Sequence, residues 1–183
     1  MNLPKIIILE EFSPILRKVC KAVSFPLSKE DKILIDDMML YLEMSQIEET
    51  CKKYDLRPGM GLAYPQIGIS KRIFVIVNEC EDGTFERHVV INPKIKSVSE
   101  EMVYVGEGEG CLSINRPTEG IVPRHARITI EAYDIDGKIY QIRVREEIAI
   151  AFQHEIDHLD GILFIDRIDK KNPFKGSDIY REI

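Results

Sequence analysis

No stretch of the chain approaches the roughly 18 apolar residues that a membrane-spanning helix needs, so a membrane protein is not expected. There is no excess of basic residues: 31 acids against 25 bases give a formal net charge of −6. That balance argues against sequence-specific nucleic-acid binding, which needs a basic face, and leaves only small patches such as Lys170-Lys171. Cysteine is scarce, with four residues (Cys20, Cys51, Cys80, Cys111) and no CxxC pair. A disulfide framework is therefore not expected in a reducing compartment. The opening Met1-Asn2-Leu3-Pro4-Lys5 and the short run Ile6-Ile7-Ile8-Leu9 lack the length and cleavage site of a secretory leader. A cytoplasmic protein is the expectation. Internal repeats and low-complexity tracts are also absent.

The 183 residues are 44% hydrophobic and 31% charged, ordinary values for a folded protein. One domain over residues 1–183 is expected, large enough for one core. Ser28-Lys29-Glu30-Asp31 reads as a capped helix start, and apolar residues at helical spacing carry it to about Glu43–Gln46. Glu48 to Pro58 is a polar connection with room for a helical turn. Strands are expected over Ile73–Asn78 and His88–Asn92. A hairpin of Arg127–Asp134 and Lys138–Val144 turns at Asp136-Gly137. Ile148 to Leu159 reads as a helix that Gly161 stops. Strands come in runs rather than alternating with helices. That predicts an α+β fold, with mainly antiparallel sheets around the C-terminal helix and one N-terminal helix.

The C-terminal helix carries Gln153-His154-Glu155-Ile156-Asp157-His158. Residues four apart share a helix face, so His154 and His158 can grip one ion. Glu155 stands where its carboxylate can hold and deprotonate a water, the HExxH logic of metal-assisted hydrolysis. A bland alternative is a solvated helix face, but two of only four histidines fall in this register. A third ligand is then required. Phe164 occupies the position where a metzincin would carry its next histidine. Asp166 and Asp169 remain open downstream. Upstream, Cys111 is the best candidate, because it sits in Glu109-Gly110-Cys111-Leu112-Ser113 with flanking glycine that admits close approach. A bound metal would deprotonate its thiol outright.

Three segments in order resemble the signatures of peptide deformylases. They are Gly59-Met60-Gly61-Leu62-Ala63-Tyr64-Pro65-Gln66, Glu109 to Ser113, and Gln153 to Gly161. The resemblance runs from about Phe12 to Asp169. The insertion between Leu42 and Pro58 and the Cys111-Leu112-Ser113-Ile114-Asn115-Arg116 continuation are similar to the longer form of Gram-positive-type bacteria. The resemblance implies an iron hydrolase of protein biosynthesis that removes the N-formyl group from the N-terminal methionine of nascent chains, releasing formate. It implies Cys111, His154 and His158 as ligands of one divalent metal, Fe(II) in the cell, with Ni(II), Co(II) or Zn(II) as alternatives. Glu155 would be general base and then acid. The Gln66 side chain and the Leu112 N–H would hold the oxyanion. Main chain at Met60, Gly61 and Gly110 would pair with an extended peptide, and Met60, Ile150 and Ala151 would line the methionine pocket. Asp157, paired with Arg124, would support the site from behind the ligands. N-formylmethionyl peptides and a transient ribosome contact are the implied partners, and a monomer the implied state.

One departure is plain: Tyr64 stands where the family usually has alanine. Its ring either faces solvent or reshapes the wall near Gln66. Two rivals share parts of the pattern, an HExxH peptidase with an acidic third ligand and a binding module built on a closed structural metal.

Overall fold

Ile73-Phe74-Val75-Ile76-Val77 is apolar at every position, so as a strand it must be covered on both faces. That requirement organises the molecule. The computed structural model describes residues 4–183; Met1–Leu3, part of the leader reading above, lie outside the described residues. Strand β1 (Gly61–Ala63), β2 (Ile73–Glu79), β3 (Phe85–Val98), β6 (Arg127–Tyr133) and β7 (Ile139–Arg145) form one antiparallel sheet in the order β1-β2-β3-β6-β7. Phe74 and Ile76 point to one side, where helix α3 (Glu146–Leu159) lays Ala149, Phe152, Ile156 and Leu159. Phe74 and Phe152 meet edge to face with centroids 5.5 Å apart. Ile73, Val75 and Val77 point to the other side, against Ile35, Met38, Tyr41 and Leu42 of helix α1 (Lys29–Gln46).

The expected elements are found, with differences at their ends. Ser28 caps α1 by accepting the Asp31 N–H at 3.0 Å. The polar connection contains a short helix, α2 (Glu48–Tyr54). The second strand is longer than expected: β3 runs through Pro93 because two register shifts accommodate it, and Asn92 at φ +49° opens the first. The Asn92 side chain clasps Val23 N and O at 2.8 Å each, anchoring the irregular entry segment. Helix α3 begins two residues early, at Glu146, and ends at Leu159, with Gly161 at φ +74° turning the chain away two residues on. A Cβ on Gly161 would meet the Arg17 carbonyl carbon at 2.8 Å, so both conformation and space demand glycine. A second sheet is new: β4 (Met102–Tyr104) between β5 (Arg124–His125) and, in parallel, β8 (Arg181–Glu182). Its strands are too short to carry a periodic signal. No helix among the described residues is long and apolar enough to cross a membrane.

Tyr64 takes neither place expected of it. It is fully buried on the α1 side of β1, away from the cavity described below. Its hydroxyl donates to the Asp31 carbonyl at 3.1 Å, and Asp31 is itself held by Lys71 Nζ at 2.6 Å. Burial, with the Asp31 charge adding to it, pushes the phenol well above its ordinary pKa. Tyr64 is thus a core residue that ties the Gly59–Gln66 segment to the start of α1. Tyr64→Phe is expected to lower stability by about 1 kcal/mol, the worth of one buried hydrogen bond, read as a lower urea midpoint at unchanged slope. An unchanged midpoint would show that the hydroxyl bond contributes nothing.

Candidate metal centre

The face of α3 turned away from the solvent carries Ile150, Ala151, His154, Glu155 and His158 at helical spacing. The loop after β4 brings Cys111 against that face. One ligand atom each from Cys111, His154 and His158 lies within 4.8 Å of the others, and Cys111 Sγ is 3.3 Å from His158 Nε2. His154 Nδ1–H donates to Glu109 Oε2 at 2.8 Å, so its Nε2 lone pair is free to bind an ion. Glu155 Oε2 and His158 Nδ1 are buried without a hydrogen-bond partner among the described residues. One thiolate and two imidazoles, gathered beside an unpartnered carboxylate, fit a single divalent metal at a catalytic rather than closed site.

These groups open on a cavity of about 720 Å³. Met60, Gly61, Gln66, Gly110, Cys111, Leu112, Ile150, Ala151, His154 and Glu155 all line it. His158 lies beneath its floor, and Arg124 and Asp157 lie behind it. Gln66 is held by its own turn: its Oε1 accepts the Ala63 N–H at 2.8 Å. That leaves Nε2 to donate to Ser113 Oγ at 3.3 Å and to lie 3.7 Å from Cys111 Sγ. A Cβ on Gly61 would collide with the Glu155 carboxylate, so glycine here lets β1 pass directly over that group.

Asp157 and Arg124 do meet, within a larger cluster. Arg124 donates to both Glu109 oxygens, at 2.7 and 2.9 Å, and to Asp157 at 2.5 Å. Arg167 completes it with two bonds to Asp157 at 2.5 Å. Glu109, not Asp157, is the carboxylate that orients His154. Burial would raise the Glu109 pKa, but the bonds from Arg124 and His154 prevail and hold it at about 2. Glu155 has no such donors, and burial pushes it up to about 7, close to the range a general base needs.

Glu109 and Arg167 were missed as functional candidates from sequence. Glu109 had a signal, since it lies two residues before Cys111; Arg167 had none. The downstream acids are engaged elsewhere. Asp166 pairs with Arg17 and accepts the Leu163 N–H, and Asp169 caps the Lys171 and Asn172 N–H groups. Phe164 is buried and stacks on His154, with centroids 6.0 Å apart. It packs against the first histidine where a metzincin would add a further one.

The family model of polypeptide deformylases matches residues 6–174. The chain belongs to the peptide deformylase family. It is 51% identical to the peptide deformylase of Oceanobacillus iheyensis over 167 residues, 91% of each chain. It is 50% identical to that of Ligilactobacillus salivarius over 169 residues, again 91% of each. Among solved deformylases, the Thermotoga maritima structure superposes with TM-score 0.71 at 34% identity, covering 90% of this chain and 97% of that one. The Met-Ala-Ser-bound Acinetobacter baumannii structure gives TM-score 0.70 at 27% identity, covering 89% and 98%. The α+β architecture read from the sequence is that of these deformylases, and the chain is an enzyme of a metal-dependent family.

Arg124→Leu takes both of its bonds from buried Glu109, leaving only His154, and leaves Asp157 to Arg167 alone. Breaking such a cluster is expected to remove about 3–5 kcal/mol of stability, against less than about 1 kcal/mol for Arg167→Leu, whose side chain is 43% exposed. Equal losses in chemical denaturation would refute the central role of Arg124.

Proposed function

We propose that this enzyme hydrolyses the N-formyl group of N-formylmethionyl peptides, with residues 1–183 acting as one catalytic domain. The observation that carries the reading is a Cys111–His154–His158 cluster beside the unpartnered Glu155 carboxyl at the base of an open cavity. Cys111 Sγ and the two imidazoles would hold the metal. When bound, a divalent cation supplies Lewis acidity at the formyl carbonyl and lowers the pKa of water from about 15.7 toward 7. Fe(II) is the proposed cellular ion; Ni(II), Co(II) and Zn(II) suit the same donors.

The chain's own residues do the rest. Glu155 takes the proton of the attacking water on its carboxylate and returns it to the leaving amine nitrogen of methionine. Its elevated pKa suits both transfers. Gln66 Nε2 and the Leu112 N–H donate to the oxygen on which negative charge develops, a contribution of about 10²–10³ in rate per donor. Main chain at Met60, Gly61 and Gly110 borders the cavity, where an extended peptide can add as a strand. The Met-Ala-Ser bound to the related structure has the form of the product that this reaction would leave. Met60, Ile150 and Ala151 offer apolar walls for the methionine side chain. Glu109 and Arg124 hold His154 in the tautomer that binds metal, with Asp157 bracing Arg124.

A monomer is the proposed state. Such a substrate places the enzyme in the cytoplasm near ribosomes, where the exposed Lys170-Lys171 pair offers one small basic contact. A peptidase with an acidic third ligand has no support here, because Asp166 and Asp169 are otherwise bonded.

Two measurements test the reading. Anaerobically purified protein with Fe(II) or Ni(II) should release formate from formyl-Met-Ala-Ser. Glu155→Ala should reduce kcat by at least about 10²-fold, the lower end for a lost proton carrier, while metal content stays stoichiometric. A folded, metal-loaded wild type that releases no formate would refute the function. Separately, Cys111→Ala should lose its metal by elemental analysis, whereas Asp166→Asn and Asp169→Asn keep it. Metal retention in Cys111→Ala would refute the thiolate ligand.

A further inference from the structure

The short parallel strand β8 lies far along the chain from the motifs, yet it reaches the substrate cavity. Ile183, which follows it, lines that cavity together with Val105 and Ile150. The strand is firmly placed. Ile183 N–H donates to the Tyr104 carbonyl at 3.0 Å, and the Tyr104 hydroxyl donates to Glu182 at 3.2 Å. The Glu182 carboxylate fills the space that a side chain at Gly106 would take. Arg181 reaches across two elements, bonding Glu101 ahead of β4 at 3.0 Å and Glu146 at the start of α3 at 2.8 and 2.9 Å.

These attachments have one consequence for the cavity. Glu146 and Ile150 lie on the same face of α3, one turn apart, and His154 lies a further turn along. Arg181 therefore ties β8 to the helix face that carries the wall residue and the first histidine. Ile183 is half-buried against Val103, Ala126 and Ile150, with Val105 beside it. Its side chain is an apolar surface held at the cavity by the pairing of β8 with β4 and by the Arg181 bonds.

We propose that Ile183 is a specificity-determining residue: with Val105 and Ile150 it sets the room available to the leading side chain of the substrate, and β8 is the element that holds it there. The inference rests on the deformylase reading above and adds a wall that no motif of the sequence carries. An apolar wall discriminates by volume, so shortening it should loosen the choice of side chain rather than slow the chemistry.

The test compares formyl-Met-Ala-Ser with formyl-Phe-Ala-Ser in the metal-loaded enzyme. Ile183→Ala should raise KM for the methionine substrate and leave kcat within about twofold. The kcat/KM preference for methionine over phenylalanine should narrow by about tenfold, the scale of a methylene-sized change in a pocket. Ile183→Trp should widen the same preference. Binding of the peptide Met-Ala-Ser, measured by calorimetry, should weaken in Ile183→Ala independently of turnover. Ile179→Ala, at an exposed site outside the cavity, should match the wild type.

Arg181→Ala separates this role from simple support, because it loosens the strand without touching the cavity. If Arg181→Ala and Ile183→Ala both lower Tm and scale the two substrates by one common factor, β8 is only structural and the proposal falls. It also falls if neither Ile183 variant changes the preference while Tm is unchanged. A wild type that releases formate from neither substrate refutes the deformylase reading itself, and this inference with it.

Discussion

The buried Arg124 guanidinium is the interaction on which the site depends. It joins three pieces of chain that otherwise share no secondary structure: its own strand β5, the loop bearing Glu109 and Cys111, and helix α3 through Asp157. A cation taken out of water is expensive unless its partners are close and well oriented. Here two carboxylates engage it at three nitrogens, and Glu109 passes the interaction on to His154. The position of one imidazole relative to the thiol is therefore set by a charge cluster behind them, not by the ligands alone. Glu109 has a depressed pKa because the Arg124 and His154 bonds outweigh its burial, and Glu155, one helical position from His154, has an elevated one because it is buried without such bonds. Two carboxylates in the same buried region thus take different roles from their partners alone.

The sheet supplies the rigidity this arrangement needs. Because β2 is apolar on both faces, α3 and α1 pack on opposite sides of the same strand. Helix α3 is then held along its length by Phe152, Ile156 and Leu159, and its polar face can carry buried charge without shifting. β1 is the edge strand beside β2, and Gly61 lets it run close over Glu155. Catalytic groups held by regular elements on several sides are pre-organised for a reaction that demands close alignment. The cavity is lined by Gly61 of β1, by Ile150, His154 and Glu155 of α3, and by Val105 and Ile183 just beyond β4 and β8.

Residues with a local pattern could be read directly. The i, i+4 spacing of His154 and His158 places both on one helix face wherever that helix sits, and Glu155 follows from the same geometry. The Ser28 cap, the Asp136-Gly137 turn and the Gly161 stop are equally local, since each depends on backbone chemistry within a few residues. The need to cover β2 on two sides is visible in five consecutive apolar letters. Cys111 was reachable through its glycine-flanked setting and the family resemblance.

What had no local pattern was decided only by the tertiary structure. Tyr64 could have faced solvent or the cavity; it faces α1 because β1 pairs with β2 in the register Ala63↔Phe74, which turns the next side chain into the opposite core. Arg124 and Asp157 were reachable only through the family resemblance, whereas Glu109 and Arg167 are ordinary charged letters whose place in the cluster comes from long-range packing that takes Glu109, Arg124 and Asp157 out of water. Strand β8 is two residues long, with no periodicity to read, and its place beside β4 depends on pairing with residues 78 positions earlier. The sequence by itself determined which side chains could do chemistry and on which element each stands, because those are matters of spacing. The tertiary structure decided which charges hold them and which walls surround them, because those are matters of distance through space between segments far apart in the chain.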